Sequence, residues 1–298
     1  MGTLGRVARR RARVRVMKRW LLTACAAVLS AVGVFAAPTN TLDSVVQLWR
    51  SGKTDDALEA ATAALKVDPK NSRLLSLRAQ MRVLVGQRPG AEADLTEAIA
   101  LEPDSGWLRQ ERAQLRFRLG KVEESVIDFD TAVELAPRML PQNWQRGIAL
   151  YYVGRFTDGR KQFEVHQTVN PQDVENAAWH FLCTAREKGI TNARSQLIQV
   201  ERDGRVPMKE IQQLFAGKAT PQEVLRVAAI ADDAADRRDQ QFYAHLYLGL
   251  YFEAIGSPKE RDEHIREAAR LSDSDNYMGV VARVHAERLK LTLPPSKP

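Results

Sequence analysis

Small and apolar positions recur along the first half of the chain at one spacing, with polar residues between them. Gly52, Gly86, Gly120 and Gly154 stand 34 residues apart, and Pro69, Pro103, Pro137 and Pro171 each follow their glycine by 17. Seven residues before the glycine stand Ala79, Ala113 and Gly147, with Val45 in the first block. Five after it stand Ala57, Ala91, Ser125 and Gly159; nine after it, Ala61, Leu95, Phe129 and Phe163. Twelve after it stand Ala64, Ala98 and Ala132, and His166 breaks that series. The pattern predicts four antiparallel helix pairs. Glycine ends each first helix through a left-handed turn. Small residues let two helices cross closely, and the larger apolar residue fills the space between neighbouring units. Proline stops each second helix. The units run from about Leu42 to Pro69, Asn71 to Pro103, Ser105 to Pro137 and Leu140 to Pro171.

Beyond residue 171 the period changes, and 172–237 reads as irregular helices. Asp173 to Lys188 is one helix, ended by Gly189, and Asn192 to Val200 a shorter one. Arg202-Asp203-Gly204-Arg205 is a turn, Met208 to Ala216 an amphipathic helix, and Thr220 caps a helix running from Pro221 to about Arg237. A repeat returns over 238–273, where Gly249 stands seven before Gly256 and Ala268 twelve after it. Arg261 takes a place that is small in the earlier units, which predicts a second helix set further out. A closing helix spans 274–291, and 292–298 is expected to be a disordered tail.

A 34-residue period in this register resembles the tetratricopeptide repeat (TPR) family. The resemblance implies an all-α fold, a right-handed superhelical solenoid of antiparallel helix pairs. The first helices of such units line a concave groove that holds an extended peptide or a partner helix. By register the inward residues are Arg73, Ser76, Gln80 and Val83 in unit two, and Trp107, Gln110, Gln114 and Phe117 in unit three. Unit four presents Trp144, Ile148, Tyr151 and Tyr152. Aromatic rings supply contact area at low rotamer cost, and glutamines can bond an extended backbone. The alternative for Trp144 and Tyr152 is packing between units. The lysine and asparagine clamp of some TPR chaperone adaptors is not visible, so a C-terminal carboxylate ligand is not favoured. The aromatic helix around Trp179 and the run Phe242 to Phe252 read as interhelix core, with a dimer seam as the alternative.

The order of parts also resembles the NlpI-type bacterial envelope lipoproteins. That resemblance implies an adaptor that docks envelope proteases or cell-wall hydrolases, with a homodimer as one form. The chain departs from that group in lacking a convincing lipid-bearing cysteine.

Residues 1–36 read as a secretory signal peptide. Eight basic residues, Arg6 to Arg19, precede an apolar run from Trp20 to Ala36, and Val34-Phe35-Ala36 fits a cleavage site before Ala37. Met17 is an alternative start, since Met17-Lys18-Arg19-Trp20 makes a compact signal by itself. Residues 37–41 then form a linker. The protein would attach to a membrane only if this apolar segment were retained or Cys25 lipidated. The segment also explains the charge. The chain holds 44 Lys and Arg against 37 Asp and Glu, a net +7, but without the eight early cations the remainder is near neutral. Nucleic acid is therefore not an expected partner. Cys183 is the one cysteine left after cleavage, which allows no internal disulfide, and its apolar setting marks a buried thiol.

No chemistry-bearing constellation stands out. The five histidines, 166, 180, 245, 264 and 285, show no metal-ligand spacing, and no cofactor or metal is expected. Phosphate loops and nucleophile elbows are absent from the sequence. The rivals are a membrane-anchored envelope assembly factor that keeps its N-terminal helix and, behind it, an enzyme with its site in 173–237. The reading is an exported, non-enzymatic scaffold for an envelope protein or peptide.

Overall fold

The computed structural model describes residues 40–272 and 276–293. The expected signal segment and most of the tail lie outside the described residues. Unit one pairs α1 (Asn40–Arg50) with α2 (Thr54–Val67), so the first helix begins inside the expected linker. Unit two pairs α3 (Ser72–Leu84) with α4 (Arg88–Leu101), and unit three α5 (Gly106–Arg118) with α6 (Val122–Leu135). Unit four pairs α7 (Trp144–Tyr152) with α8 (Phe156–His166). Its first helix has nine residues where those of units two and three have thirteen. A 3-10 turn, Pro137–Gln142, precedes it, and Pro141 within that turn has no N–H to extend an α-helix backwards.

The periodic glycines end the first helices in one way. Gly120 has φ +74°, its N–H bonds Phe117 O at 3.0 Å, and the Lys121 N–H reaches back to Arg116 O at 2.9 Å. The same closure recurs at Gly52, Gly86, Gly154 and Gly256. It satisfies carbonyls that the helix end leaves open and turns the chain into the second helix.

A second periodic device joins the two helices of a unit. In unit two the Arg78 guanidinium forks onto Asp94, and in unit three Arg112 forks onto Asp128 with both bonds at 2.8 Å. In unit four Arg146 donates to Gln162 Oε1 and binds Asp130. Arg78, Arg112 and Arg146 are 34 residues apart, as are Asp94, Asp128 and Gln162.

The second half of the chain follows its own course. Asp173 caps α9 (Val174–Lys188), and Gly189 ends it. The short α10 (Ile190–Ser195) stops well before Val200, and residues 197–200 are extended rather than helical. Next come α11 (Met208–Phe215) and α12 (Pro221–Ala228), the latter opened by a capping box between Thr220 and Glu223. This helix ends nine residues short of Arg237. The chain breaks at 229–233, and Asp233 caps a new helix, α13 (Ala234–Ala254). It pairs with α14 (Pro258–Leu271), and α15 (Tyr277–Arg288) closes the fold.

Close crossings set which residues are small. A Cβ on Gly147 would lie 2.6 Å from the Phe163 ring, and one on Gly249 would lie 2.5 Å from Ile265 Cδ1. The helix that carries Arg261 therefore packs tightly against α13, contrary to the expectation from that arginine. Trp179, Phe242 and Tyr247 are buried core, and Cys183 is a free, fully buried thiol whose pKa is raised by burial. Among the described residues, no helix is long and apolar enough to cross a membrane.

Candidate partner-binding groove

The first helices of units two and three place Arg73 exposed and Gln80, Trp107, Gln110 and Gln114 half-buried. Gln110 accepts a bond from Asn143 Nδ2 at 3.1 Å, which ties unit three to the turn before unit four. Phe117, Ile148 and Tyr151 share the inward register but are buried, with at most 4% exposure, and Trp144 is half-buried. In this fold those three side chains are not open to a partner.

The closing helix α15 covers Phe117 and meets Trp144, while Tyr151 is packed by Trp179 and Glu253. Tyr277 stacks on Phe117 with centroids 5.5 Å apart and meets the Trp144 ring edge-on at 5.0 Å. Arg118 sits 5.6 Å above the same tyrosine ring. At the far end of α15, Arg288 bonds Glu123 and the Tyr152 carbonyl. The C-terminal helix thus lies over the inner face of units three and four. Tyr152 packs between elements, as its alternative reading held.

Beneath the helix runs a polar chain. Tyr152 Oη lies 3.0 Å from His285 Nδ1, and His285 Nε2 lies 2.8 Å from Glu253 Oε2. Tyr151 donates to Glu253 Oε1 at 3.2 Å, and Arg186 reaches the same oxygen at 2.9 Å. Burial would raise the Glu253 pKa, but His285, Arg186 and Tyr151 outweigh it and hold the carboxyl below its ordinary range. Burial and the adjacent Glu253 charge raise Tyr151 and Tyr152 well above the usual phenol, so both stay protonated. These groups border a cavity of about 180 Å³ at the C-terminal ends of four helices. Glu253 thereby joins Tyr151, Arg186 and His285 and ties four helices together.

Glu111 was not singled out from sequence. It stands nine residues before Gly120, where units two and four have Leu77 and Gln145. Burial pushes its carboxyl up to about 7, only partly offset by Arg118. A charged residue at a place held by leucine one unit earlier was the available signal. Glu253, Tyr277, His285 and Arg288 were also missed, because their contacts cross 102 to 165 residues of chain. No group of His, Cys, Asp and Glu among the described residues could hold a metal ion.

Comparison with known proteins agrees with this architecture. The tetratricopeptide repeat family model matches residues 43–83. A tetratricopeptide repeat protein from Parabacteroides merdae is 14% identical with a TM-score of 0.56, covering 82% of this chain and 97% of its own. The C-terminal part of a TPR repeat-containing protein from Cytophaga hutchinsonii is 13% identical with a TM-score of 0.50, covering 80% and 98%. The MamA protein is 16% identical, covering 53% of this chain and 86% of its own, with a TM-score of 0.49. No curated protein matches the chain. The repeat register, the helix-pair solenoid, the family model over residues 43–83 and the two likenesses with TM-scores of 0.50 or more agree on an all-α tetratricopeptide repeat fold.

Proposed function

We propose that this chain is an exported, non-enzymatic scaffold that holds an extended segment of another envelope protein along the concave face of units two and three. The observation that carries the reading is the contrast along one surface. Ile148 and Tyr151 of unit four are buried and Trp144 meets Tyr277 of α15, whereas Gln80, Trp107, Gln110 and Gln114 keep partial exposure and Arg73 is exposed. A bound strand would find an aromatic ring for contact area and amides to pair with its backbone. Export rests on the basic and then apolar N-terminal segment, and Ala37 would be the first residue of the mature protein.

The test is affinity capture from envelope extract with residues 37–298 as bait, beside a Gln80/Trp107/Gln114 triple alanine variant of equal helicity. The reading expects a partner held by the first bait and lost by the second. Equal capture by both would move the site elsewhere on the molecule. N-terminal sequencing of the native protein tests cleavage separately, and a start at Met1 or Met17 would contradict a cleaved signal and favour an anchored form.

A further inference from the structure

Glu111 stands on α5 among the residues of the candidate groove. Trp107 lies one turn before it, Gln114 one turn after it and Gln110 beside it. Residues three and four apart share a helix face, with about 5–6 Å between their Cβ atoms. All four side chains are half-buried. Trp107 packs in part against the core of units one to three and keeps part of its ring open. The other acids on the helices around α5 are occupied. Asp94 holds Arg78 and Arg82, Asp128 holds Arg112 and Arg116, and Glu92 holds Arg116 and Lys121. Among the described residues the Glu111 carboxylate has no hydrogen-bond or ion-pair partner, yet its oxygens are not sealed from solvent.

The cations of the fold do not serve it. Arg118 follows seven residues later, two turns and about 10 Å along the helix axis, and stands over the Tyr277 ring. Its attraction offsets only part of the effect of burial, and the carboxyl stays at about 7. Arg73, exposed in unit two, exerts no pull on it, nor does any other titratable group. Desolvating a carboxylate without a partner is unfavourable, and a cation brought beside it relieves that. The surroundings select which cation. A guanidinium is flat and carries five donors, so it can fork onto the carboxylate, bond the side-chain oxygen of Gln114 and lie against the open part of the Trp107 indole. An ammonium has no flat face for the ring, and a neutral or acidic side chain has no charge to set against Glu111.

We propose that Glu111, with Trp107 and Gln114, is the specificity site of the groove and takes an arginine side chain of the bound polypeptide. The assignment rests on the scaffold reading for the source of that side chain. Its chemistry stands on the unpartnered carboxylate and its neighbours on α5.

The experiment titrates the purified protein with a blocked serine–glycine peptide that carries one central arginine, and with its citrulline and lysine counterparts. Binding is read from the Trp107 indole resonance in protein labelled with ¹⁵N-tryptophan, assigned through Trp107→Phe. At about pH 8 the arginine peptide is expected to bind saturably and about tenfold or more tighter than the citrulline peptide, which keeps the shape and loses the charge. That ratio should shrink as pH falls to about 6, because Glu111 takes up a proton near pH 7 and its charge is lost. Glu111→Gln, with an unchanged circular dichroism spectrum, should bring the arginine peptide down to the citrulline peptide at both pH values. Equal binding of the two peptides by the wild type, or a ratio that survives in Glu111→Gln, overturns the site. A lysine peptide that binds as tightly as the arginine one overturns the guanidinium assignment. No saturable shift with the arginine peptide, beside a partner captured through units two and three, removes the site and spares the scaffold. An arginine preference lost in Glu111→Gln, with no partner captured, keeps the site and removes the scaffold.

Discussion

Arg112 and Asp128 form a two-pronged ion pair at the centre of unit three, with Asp128 wholly removed from solvent. Arg116 also reaches Asp128 at 2.8 Å, and Arg109 approaches it at 3.5 Å. The carboxylate therefore anchors three guanidinium groups from α5 onto α6. In the late repeat the places of Arg109 and Asp128 are taken by His245 and His264, whose Nδ1 atoms lie 2.9 Å apart. A charged tie in one unit has become a neutral one in another.

Asp128→Asn should destabilise the protein by about 3–5 kcal/mol, because removing one partner leaves buried cations without compensation. Urea unfolding followed by circular dichroism checks this. A change under about 1 kcal/mol would mean that the pair is as dispensable as an exposed one.

Gly147→Ala should cost about 1–3 kcal/mol by overpacking, since the new Cβ would fall 2.6 Å from a Phe163 ring that is itself fully buried. Thermal unfolding reads the effect. Phe163→Leu in the same chain should recover part of the loss by freeing space.

Tyr277→Ala removes a stacked and an edge-on aromatic contact. The two pairs account for about 1–3 kcal/mol at about 0.5–1.5 kcal/mol each beyond burial, and the burial lost with the ring adds to that. Hydrogen exchange should accelerate along Tyr277–Arg288 and leave α3 and α4 protected. Uniform acceleration along the whole chain would contradict an end helix laid over a separate groove.

Two half-buried groups give stability opposite dependences on pH. Burial, with His264 next, lowers His245 from 6.5 to about 4. Between those values the unfolded chain binds more protons, so stability falls as pH drops from about 6.5 to 4. Glu111 is raised from 4.5 to about 7, so the folded state holds the extra proton and stability falls as pH rises through that window. The two dependences offset one another over their shared window, so in melting temperatures recorded from pH 4 to 7.5 His245→Gln should leave a stability that falls as pH rises, and Glu111→Gln one that falls as pH drops. Curves parallel to wild type would remove both assignments.

The periodic half of the fold was legible because its glycines and small residues are demanded by local geometry, which a fixed register exposes. The Arg112 and Asp128 pair obeys the same period. It was overlooked because charged residues on a helix ordinarily face water, and the sequence alone does not separate that case from a buried pair. The register also placed Phe117, Ile148 and Tyr151 on the inner face, where they are. Phe117 is covered by Tyr277 of α15, and Tyr151 by Trp179 of α9 and Glu253 of α13, contacts between elements far apart in the chain. Pro141 was the readable reason for a late start of α7. The break at 229–233 has no proline or glycine, so the helix from Pro221 was carried too far. Of the inward residues expected from the register, Arg73 is exposed and Gln80, Trp107, Gln110, Gln114 and Trp144 are half-buried.

The central claim is tested most directly by site-specific photo-crosslinking in cells, with p-benzoylphenylalanine placed at Gln114 and, as a control, at the exposed Ile127 of α6. The account expects a discrete adduct with one envelope polypeptide from Gln114 and none of that size from Ile127. The same adduct from both positions, or none from Gln114 in a folded and expressed protein, would contradict a partner held in the concave groove.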